Sequence, residues 1–475
     1  MRKMWYCILV LICVLKGGRT VRRKRRIMSG LLALCIALSV LPLSACTAPK
    51  LTLDPEELYA LPELPERYTA LNKQLSAIQE SGAEYAAPVS GSNIQPVQMV
   101  DLDGDGREEA LAFFRQSDGE KPLKIYVFTD NGNSYTQTAV IEGSGLAVYS
   151  IAYSDMNGDG RMELIVGWRV SMDLQALAVY ALEPGGAREL ARSNYVKYAV
   201  ADLNGDGMQE LTVFRANQDG VGAADCYLWK NGALTLSSTI RVSMTMAELS
   251  QQGKVTVGTL RSGEPALFVT GVAEGMRAMT DVLLLRGGEL NNAVLSPTTG
   301  VSGESSRFRA LYPADINGDG VTEVPRTVAL YGEELEGDTA QRVDWISFDA
   351  AGAAIRVLST YHAIEDGWYL QLPDGWADTI YVGRSASADE ASVTFYMGDS
   401  RDQSYTPVLR ITTLSGSNRE RLAVRTGRFI LGRNDGVIYA GELLKGNEGW
   451  ADGVTEDEVR NAFSLIAPEW SAGDN

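Results

Sequence analysis

The chain has 475 residues, 45% hydrophobic and 22% charged, with 48 Gly and 16 Pro, which excludes a wholly disordered chain and a multi-span membrane protein. Formal net charge is −17, but the first 45 residues hold nine Lys/Arg and no Asp or Glu, so the remainder stands at −26 and repels phosphate backbones, against nucleic acid as a partner. The single histidine, His362, rules out HExxH metalloproteases and any site built on paired histidines.

Two apolar stretches open the chain. Met4–Leu15 is too short to span a bilayer at about 1.5 Å per residue. Arg22-Arg23-Lys24-Arg25-Arg26 precedes a second stretch, Leu31–Leu43, and a basic segment before a short apolar core reads as an export signal. It ends Leu43-Ser44-Ala45-Cys46, which resembles the bacterial lipobox. That resemblance implies lipidation of Cys46 and a membrane anchor on the outer side of the bacterial cell. Lys16-Gly17-Gly18 could be encoded by a run resembling a ribosome-binding site, which makes Val21 the expected translation start. Of five cysteines only Cys226 lies beyond Cys46, so an internal disulfide is not expected and stability must come from elsewhere.

A helix follows the tether: Leu64, Tyr68, Leu71, Leu75 and Ile78 share a face, with Pro65 as a start and Gly82 as a stop signal. Then a nine-residue string recurs, at Asp101–Glu109, Asp155–Glu163, Asp202–Glu210 and Asp315–Glu323, with starts 54, 47 and 113 residues apart. The doubled last gap predicts a hidden copy, and Thr259–Val269 keeps the strand pattern without the acids. Turn dipeptides confirm the register: Asn131-Gly132, Gly185-Gly186, Asn231-Gly232, Gly287-Gly288 and Ala351-Gly352 place their glycines 31, 31, 30, 29 and 37 residues after the unit starts.

Strand-like runs (Ala110–Phe114, Ile125–Phe128, Leu164–Gly167, Ala178–Tyr180, Leu211–Phe214, Cys226–Trp229, Val282–Leu285) give each unit four antiparallel strands, the pattern of a propeller blade. Extending the period predicts a sixth unit at Leu372–Asp378 with Thr379–Gly383, and a seventh from Phe429–Gly432 and Val437–Ala440. A second helix is expected after the capping box Thr455/Glu458, burying Val459, Ala462, Phe463 and Ile466. The expected fold is all-β: a seven-bladed β-propeller of four-stranded blades flanked by short N- and C-terminal helices. The expected organisation is a leader over 1–45, a tether and helical segment over 46–94, the propeller over 95–450, and a helix over 451–475 packing on the propeller or closing it.

In DxNGDGxxE, oxygen-bearing side chains fall at positions 1, 3, 5 and 9 while glycines let the loop fold back. This all-oxygen cage suits Ca²⁺ better than Mg²⁺, which wants strict octahedral geometry, or Zn²⁺, which wants nitrogen or sulfur. The candidate ligands are Asp101, Asp103, Asp105 and Glu109; Asp155, Asn157, Asp159 and Glu163; Asp202, Asn204, Asp206 and Glu210; and Asp315, Asn317, Asp319 and Glu323. The carbonyls of Arg107, Arg161, Met208 and Val321 are expected to contribute from position 7. An EF-hand is ruled out, because position 12 holds Ala112, Val166, Val213 and Arg326. The loops instead resemble the FG-GAP/VCBS repeats of integrin α-subunit propellers and bacterial surface proteins, over roughly 95–440. They depart from that family in having glutamate at position 9, where aspartate is commoner. The expectation is about four calcium ions, whose charge offsets the 13 clustered carboxylates.

A ligand is expected on the face opposite the acidic loops, on Arg115–Leu123, Val170–Leu174, Ala216–Ala223, Gly271–Thr280, Tyr331–Gln341 and Arg384–Glu390. Tyr331–Gln341 carries Glu333, Glu334, Glu336 and Asp338, which read as a solvated acidic loop or a surface closed to anions. Trp368 and Trp376 could stack on sugar rings, and packing between blades accounts for them as well. GxSxG, the P-loop and paired CxxC motifs are absent. The reading is a surface-anchored, non-catalytic module binding protein or glycan, with no catalytic residues assigned. The alternative is a Ca²⁺-dependent polysaccharide lyase or hydrolase working at the propeller mouth.

Overall fold

Short runs of β-branched and aromatic residues, punctuated by glycine turns, fold into antiparallel sheets with little helix. The computed structural model describes residues 66–466 apart from 118, 133, 218–219, 308–310, 331–340 and 400–403. These residues belong to one compact unit that starts at Pro65. Val21, Cys46, the leader, the tether to Leu64, and Glu333, Glu334, Glu336 and Asp338 lie outside them.

Helix α1 (Glu66–Glu80) leads into the first sheet, of β1 (Glu84–Tyr85), β2 (Val97–Val100), β3 (Glu109–Arg115), β4 (Leu123–Asp130) and β5 (Tyr135–Gly143). The second sheet holds β6 (Ala147–Ser154), β7 (Glu163–Arg169), β8 (Gln175–Glu183) and β9 (Gly186–Tyr195). The third holds β10 (Lys197–Ala201), β11 (Glu210–Ala216), β12 (Gly222–Lys230) and β13 (Ala233–Arg241). After α2 (Met246–Ser250), the fourth sheet holds β14 (Lys254–Thr259), β15 (Pro265–Val272), β16 (Ala278–Arg286) and β17 (Glu289–Asn292). The fifth comprises β18 (Val324–Ala329), β19 (Gln341–Phe348), β20 (Ala354–Ala363) and β21 (Trp368–Leu372). The sixth comprises β22 (Ile380–Ala386), β23 (Glu390–Asp399) and β24 (Ser404–Leu414), then, after α3 (Arg419–Ala423), β25 (Arg428–Asn434) and β26 (Val437–Leu443). Helix α4 (Glu456–Ala462) and β27 (Phe463–Leu465) end the described chain.

Side chains alternate across each strand, so every inner sheet offers apolar residues to both neighbours. On the first sheet Leu111, Phe113, Ile125 and Val127 pack against Val148, Ile151, Leu164 and Val166 of the second. The opposite face, with Ala110, Ala112, Phe114 and Phe128, packs under Leu71 and Leu75 of α1. Further shared cores join the second sheet to the third, the third to the fourth, the fourth to the fifth, and the fifth to the sixth. On the sixth sheet, Leu414, Ile438 and Ala440 face away from the fifth and are covered by Leu422 and Ala423 of α3. No core cluster among the described residues joins the first sheet to the sixth.

The unit without acids is present. Strands β14 and β15 pair in the register of their neighbours, joined by a turn in which the Leu260 N–H donates to the Glu264 carbonyl at 2.8 Å. The dipeptide turns connect the last two strands in each of the first four sheets, and Ala351-Gly352 connects β19 to β20. Residue 231 takes a left-handed φ of 54°, which Asn tolerates, before Gly232 at 78°.

Two expectations are corrected. The described residues form six sheets, not seven blades: the strands assigned to a seventh unit, at Phe429–Gly432 and Val437–Ala440, fall in β25 and β26 and pair onto β24. The degenerate loop Leu372–Asp378 does not join two strands of one sheet. It links β21 of the fifth sheet to β22 of the sixth through a short turn at Asp374–Trp376. A tight turn with Gly367 at φ 74° folds Trp368–Leu372 back onto β20, so this strand finishes one sheet rather than starting the next.

The C-terminal capping box forms as the sequence indicates. The Thr455 side chain accepts from the Glu458 N–H, and Glu458 accepts from the Thr455 N–H. The helix packs on the fifth and sixth sheets, and β27 adds to β21.

Candidate metal centre

Each acidic loop links a first strand, or in loop 4 the single bridge Ala314–Glu323, to the second strand of its unit. The four loops share one backbone course. The glycines at positions 4 and 6 take φ of 74° and 84° in loop 1, 74° and 85° in loop 2, 78° and 85° in loop 3, and 77° and 85° in loop 4. Only glycine enters this left-handed region without strain, so the spacing of the two glycines sets the curl.

The aspartate at position 1 gathers that curl. Asp101 accepts from the Gly104 and Gly106 N–H groups at 2.8 and 3.0 Å, and Asp155 from Gly158 and Gly160 at 2.8 and 2.9 Å. Asp202 accepts from Gly205 and Gly207 at 2.6 and 2.9 Å, and Asp315 from Gly318 and Gly320 at 2.8 Å each. Position 3 accepts from the N–H of position 5 in every loop, and position 5 from the N–H of position 7.

The glutamates at position 9 are buried; Glu109, Glu163 and Glu210 open the second strands, and Glu323 immediately precedes β18. One oxygen of each accepts the N–H of position 2: Glu109 from Leu102 at 2.9 Å, Glu163 from Met156 at 2.9 Å, Glu210 from Leu203 at 2.7 Å, and Glu323 from Ile316 at 3.2 Å. The other oxygen meets the Asn at position 3 in loops 2 and 3, at 3.4 and 3.1 Å. In loops 1 and 4 that atom, Oε1 of Glu109 and of Glu323, is buried without a hydrogen-bond partner. In loop 1 the oxygens of Asp101, Asp103 and Glu109 come within 4.8 Å of one another, a group that could hold a metal ion.

Burial, with the neighbouring aspartates adding to it, raises all four glutamates above the ordinary carboxylate range, Glu210 and Glu323 to about 7. Asp105 moves the other way, lowered chiefly by hydrogen bonding to the Arg107 side chain. That guanidinium engages Asp105 through both Nε, at 2.9 Å, and Nη2. Asp105 is therefore the candidate ligand that already holds a cationic partner.

Position 7 is placed by its peptide. In loop 2 the N–H of Met162 donates outward to the Leu102 carbonyl of loop 1 at 2.8 Å. The Gln209 N–H of loop 3 likewise donates to the Met156 carbonyl of loop 2 at 3.0 Å, and the Thr322 N–H of loop 4 to Thr259 at 2.9 Å. In a trans peptide C=O and N–H point in opposite directions, so the carbonyls of Arg161, Met208 and Val321 point away from the neighbouring unit that their peptide N–H groups engage. An oxygen-only donor set, tight glycine curls and an orphaned buried carboxylate oxygen fit a hard divalent cation.

A cleft of about 570 Å³ lies on this face, lined by Asp103, Glu109, Asp159, Arg161, Arg188 and Trp229 among others. The sequence pattern points to the opposite face for a protein or glycan and does not reveal this cleft, because it is assembled from loops and hairpins of three sheets. Trp368 and Trp376 are fully buried, so neither forms a sugar platform. Trp376 donates to the Asp452 carbonyl at 2.7 Å and stacks on Trp450. His362 lies inside the fifth sheet, its Nε2 2.9 Å from the Thr360 hydroxyl and its ring stacked on Tyr369.

Residues 101–166 match the FG-GAP-like repeat. The FG-GAP-like stretch contains loops 1 and 2, and loops 3 and 4 repeat its spacing. No curated protein matches the chain. Among solved structures, the chain is similar to rhamnogalacturonan lyase YesW at 15% identity over 68% of either chain, with a TM-score of 0.29. Exotype rhamnogalacturonan lyase YesX is similar at 11% identity over 76% of this chain and 91% of its own, with a TM-score of 0.27. A rhamnogalacturonan lyase of Bacillus licheniformis is similar at 14% identity over 66% of each chain, with a TM-score of 0.29. Likeness at this level carries no statement about activity.

Proposed function

We propose that the chain is a calcium-binding repeat module, anchored outside the cell by lipid on Cys46, that binds a protein or glycan without catalysis. The six sheets act as blades of a propeller-type succession that presents four cation loops along one end. Side chains at positions 1, 3, 5 and 9 and the position 7 carbonyl hold one Ca²⁺ per loop. The cation neutralises carboxylates that otherwise repel, so its binding free energy adds to folding stability where no disulfide does.

The observation that carries this reading is Glu109, whose Oε1 is buried without a partner and whose carboxylate comes within 4.8 Å of Asp101 and Asp103 oxygens. A buried carboxylate oxygen lacking a donor is costly unless a cation meets it. Calorimetric titration of the chelator-stripped protein with Ca²⁺ tests it. Uptake of about four ions, abolished at loop 1 by Glu109→Gln, is the expected result, and no uptake at millimolar Ca²⁺ refutes the proposal.

A further inference from the structure

The loops are tied to one another as well as to their own sheets. Leu102 donates its N–H to Glu109 of loop 1 and accepts the Met162 N–H of loop 2 on its carbonyl. Met156 does the same between Glu163 and the Gln209 N–H of loop 3. Loops 1, 2 and 3 thus form a continuous run of hydrogen bonds from carboxylate to backbone to the next loop. Loop 4 stands apart: its Thr322 N–H donates to Thr259, in the unit whose turn Leu260–Glu264 contains no aspartate.

Resting on the calcium reading, we infer that loops 1, 2 and 3 bind cations with positive coupling, whereas loop 4 binds independently. The Met162 N–H belongs to the same trans peptide as the Arg161 carbonyl, the position 7 candidate ligand of loop 2, which points away from Leu102. A cation drawing on that carbonyl polarises the peptide and makes its N–H a stronger donor to Leu102. Leu102 is the residue whose own N–H fixes the Glu109 carboxylate, so loading loop 2 steadies the ligand set of loop 1. Gln209 and Met156 relate loop 3 to Glu163 in the same way. Thr259 holds no such carboxylate, so the relay from loop 4 ends there. Linkage is reciprocal, and each loaded loop favours its neighbour by the same factor.

Calcium titrations of the full chain by calorimetry, wild type against Glu163→Gln and Glu323→Gln, separate the cases. Glu163→Gln removes the middle site and is expected to weaken the sites at loops 1 and 3 by about fivefold or more, leaving loop 4 unchanged. Glu323→Gln is expected to remove one site and leave the other three at wild-type affinity. Should either buried substitution disturb the native circular dichroism, Asp159→Asn and Asp319→Asn make the same comparison at exposed positions. Variants that each subtract one site, with the rest at wild-type affinity, overturn the coupling alone. A wild-type chain that takes up no calcium overturns the coupling together with the reading beneath it.

Discussion

Removing calcium should lower the melting temperature by an amount the loops allow one to work out. At the affinity typical of extracellular modules, Kd of about 10⁻⁴–10⁻³ M, 10 mM Ca²⁺ exceeds Kd by about 10- to 100-fold. Each occupied site then stabilises the native state by about 1.4–2.7 kcal/mol, and four sites by about 6–11 kcal/mol. A described body of about 400 residues has an unfolding entropy near 0.84 kcal/mol/K, which converts this to about 7–13 °C. The assay is a calorimetric melt in 10 mM CaCl₂ against EDTA, with MgCl₂ as a control expected to give a smaller shift. A calcium-dependent shift under about 1 °C would refute the cages and return the loops to the status of Asp/Gly turns.

Four further outcomes are expected. Glu323→Gln should invert with conditions: in EDTA it removes a buried charge beside Asp315 and Asp319 and raises the melting temperature, while in calcium it removes a ligand and lowers it; a change of the same sign in both would count against a metal role. Gly104→Ala and Gly106→Ala each place a side chain in the left-handed region, at about 1–2 kcal/mol. Gly104→Ala should cost more by chemical denaturation, because its Cβ would stand 2.5 Å from the Gly160 carbonyl oxygen while Gly106 has open space. The Cys226 thiol is buried and its pKa is raised to about 12, so a thiol reagent at pH 8 should label it only after unfolding; fast labelling of the native chain would contradict the packing of β12. Trp376→Ala should cost about 3–5 kcal/mol and increase hydrogen exchange over 445–466, since the indole ties Asp452 and Trp450 to the sixth sheet.

Much of this architecture was legible because glycine and aspartate leave local signatures. The two glycines of each acidic loop adopt nearly identical angles in all four copies, which is why a nine-residue string located the loops. Likewise Leu71 and Leu75 announced α1, and Thr455 with Glu458 announced α4. Extrapolation failed where pairing is decided at a distance. Trp368–Leu372 has the pattern of a strand in either sheet, and the turn at Gly367, rather than the repeat period, assigns it to β20. Phe429–Gly432 and Val437–Ala440 were recognised as strands, but nothing in their residues says that β24 already offers them an edge. The contacts between loops were invisible for a different reason: Met162, Gln209 and Thr322 act through backbone N–H groups, which any residue but proline would supply.

The helices over the outermost faces of the first and sixth sheets set how damage and growth can spread. An exposed apolar sheet face at either end would invite stacking between molecules, and α1 and α3 deny it. With each interior core shared by two neighbouring sheets, a lesion in one sheet reaches the sheets on either side of it, and the body should melt as one unit.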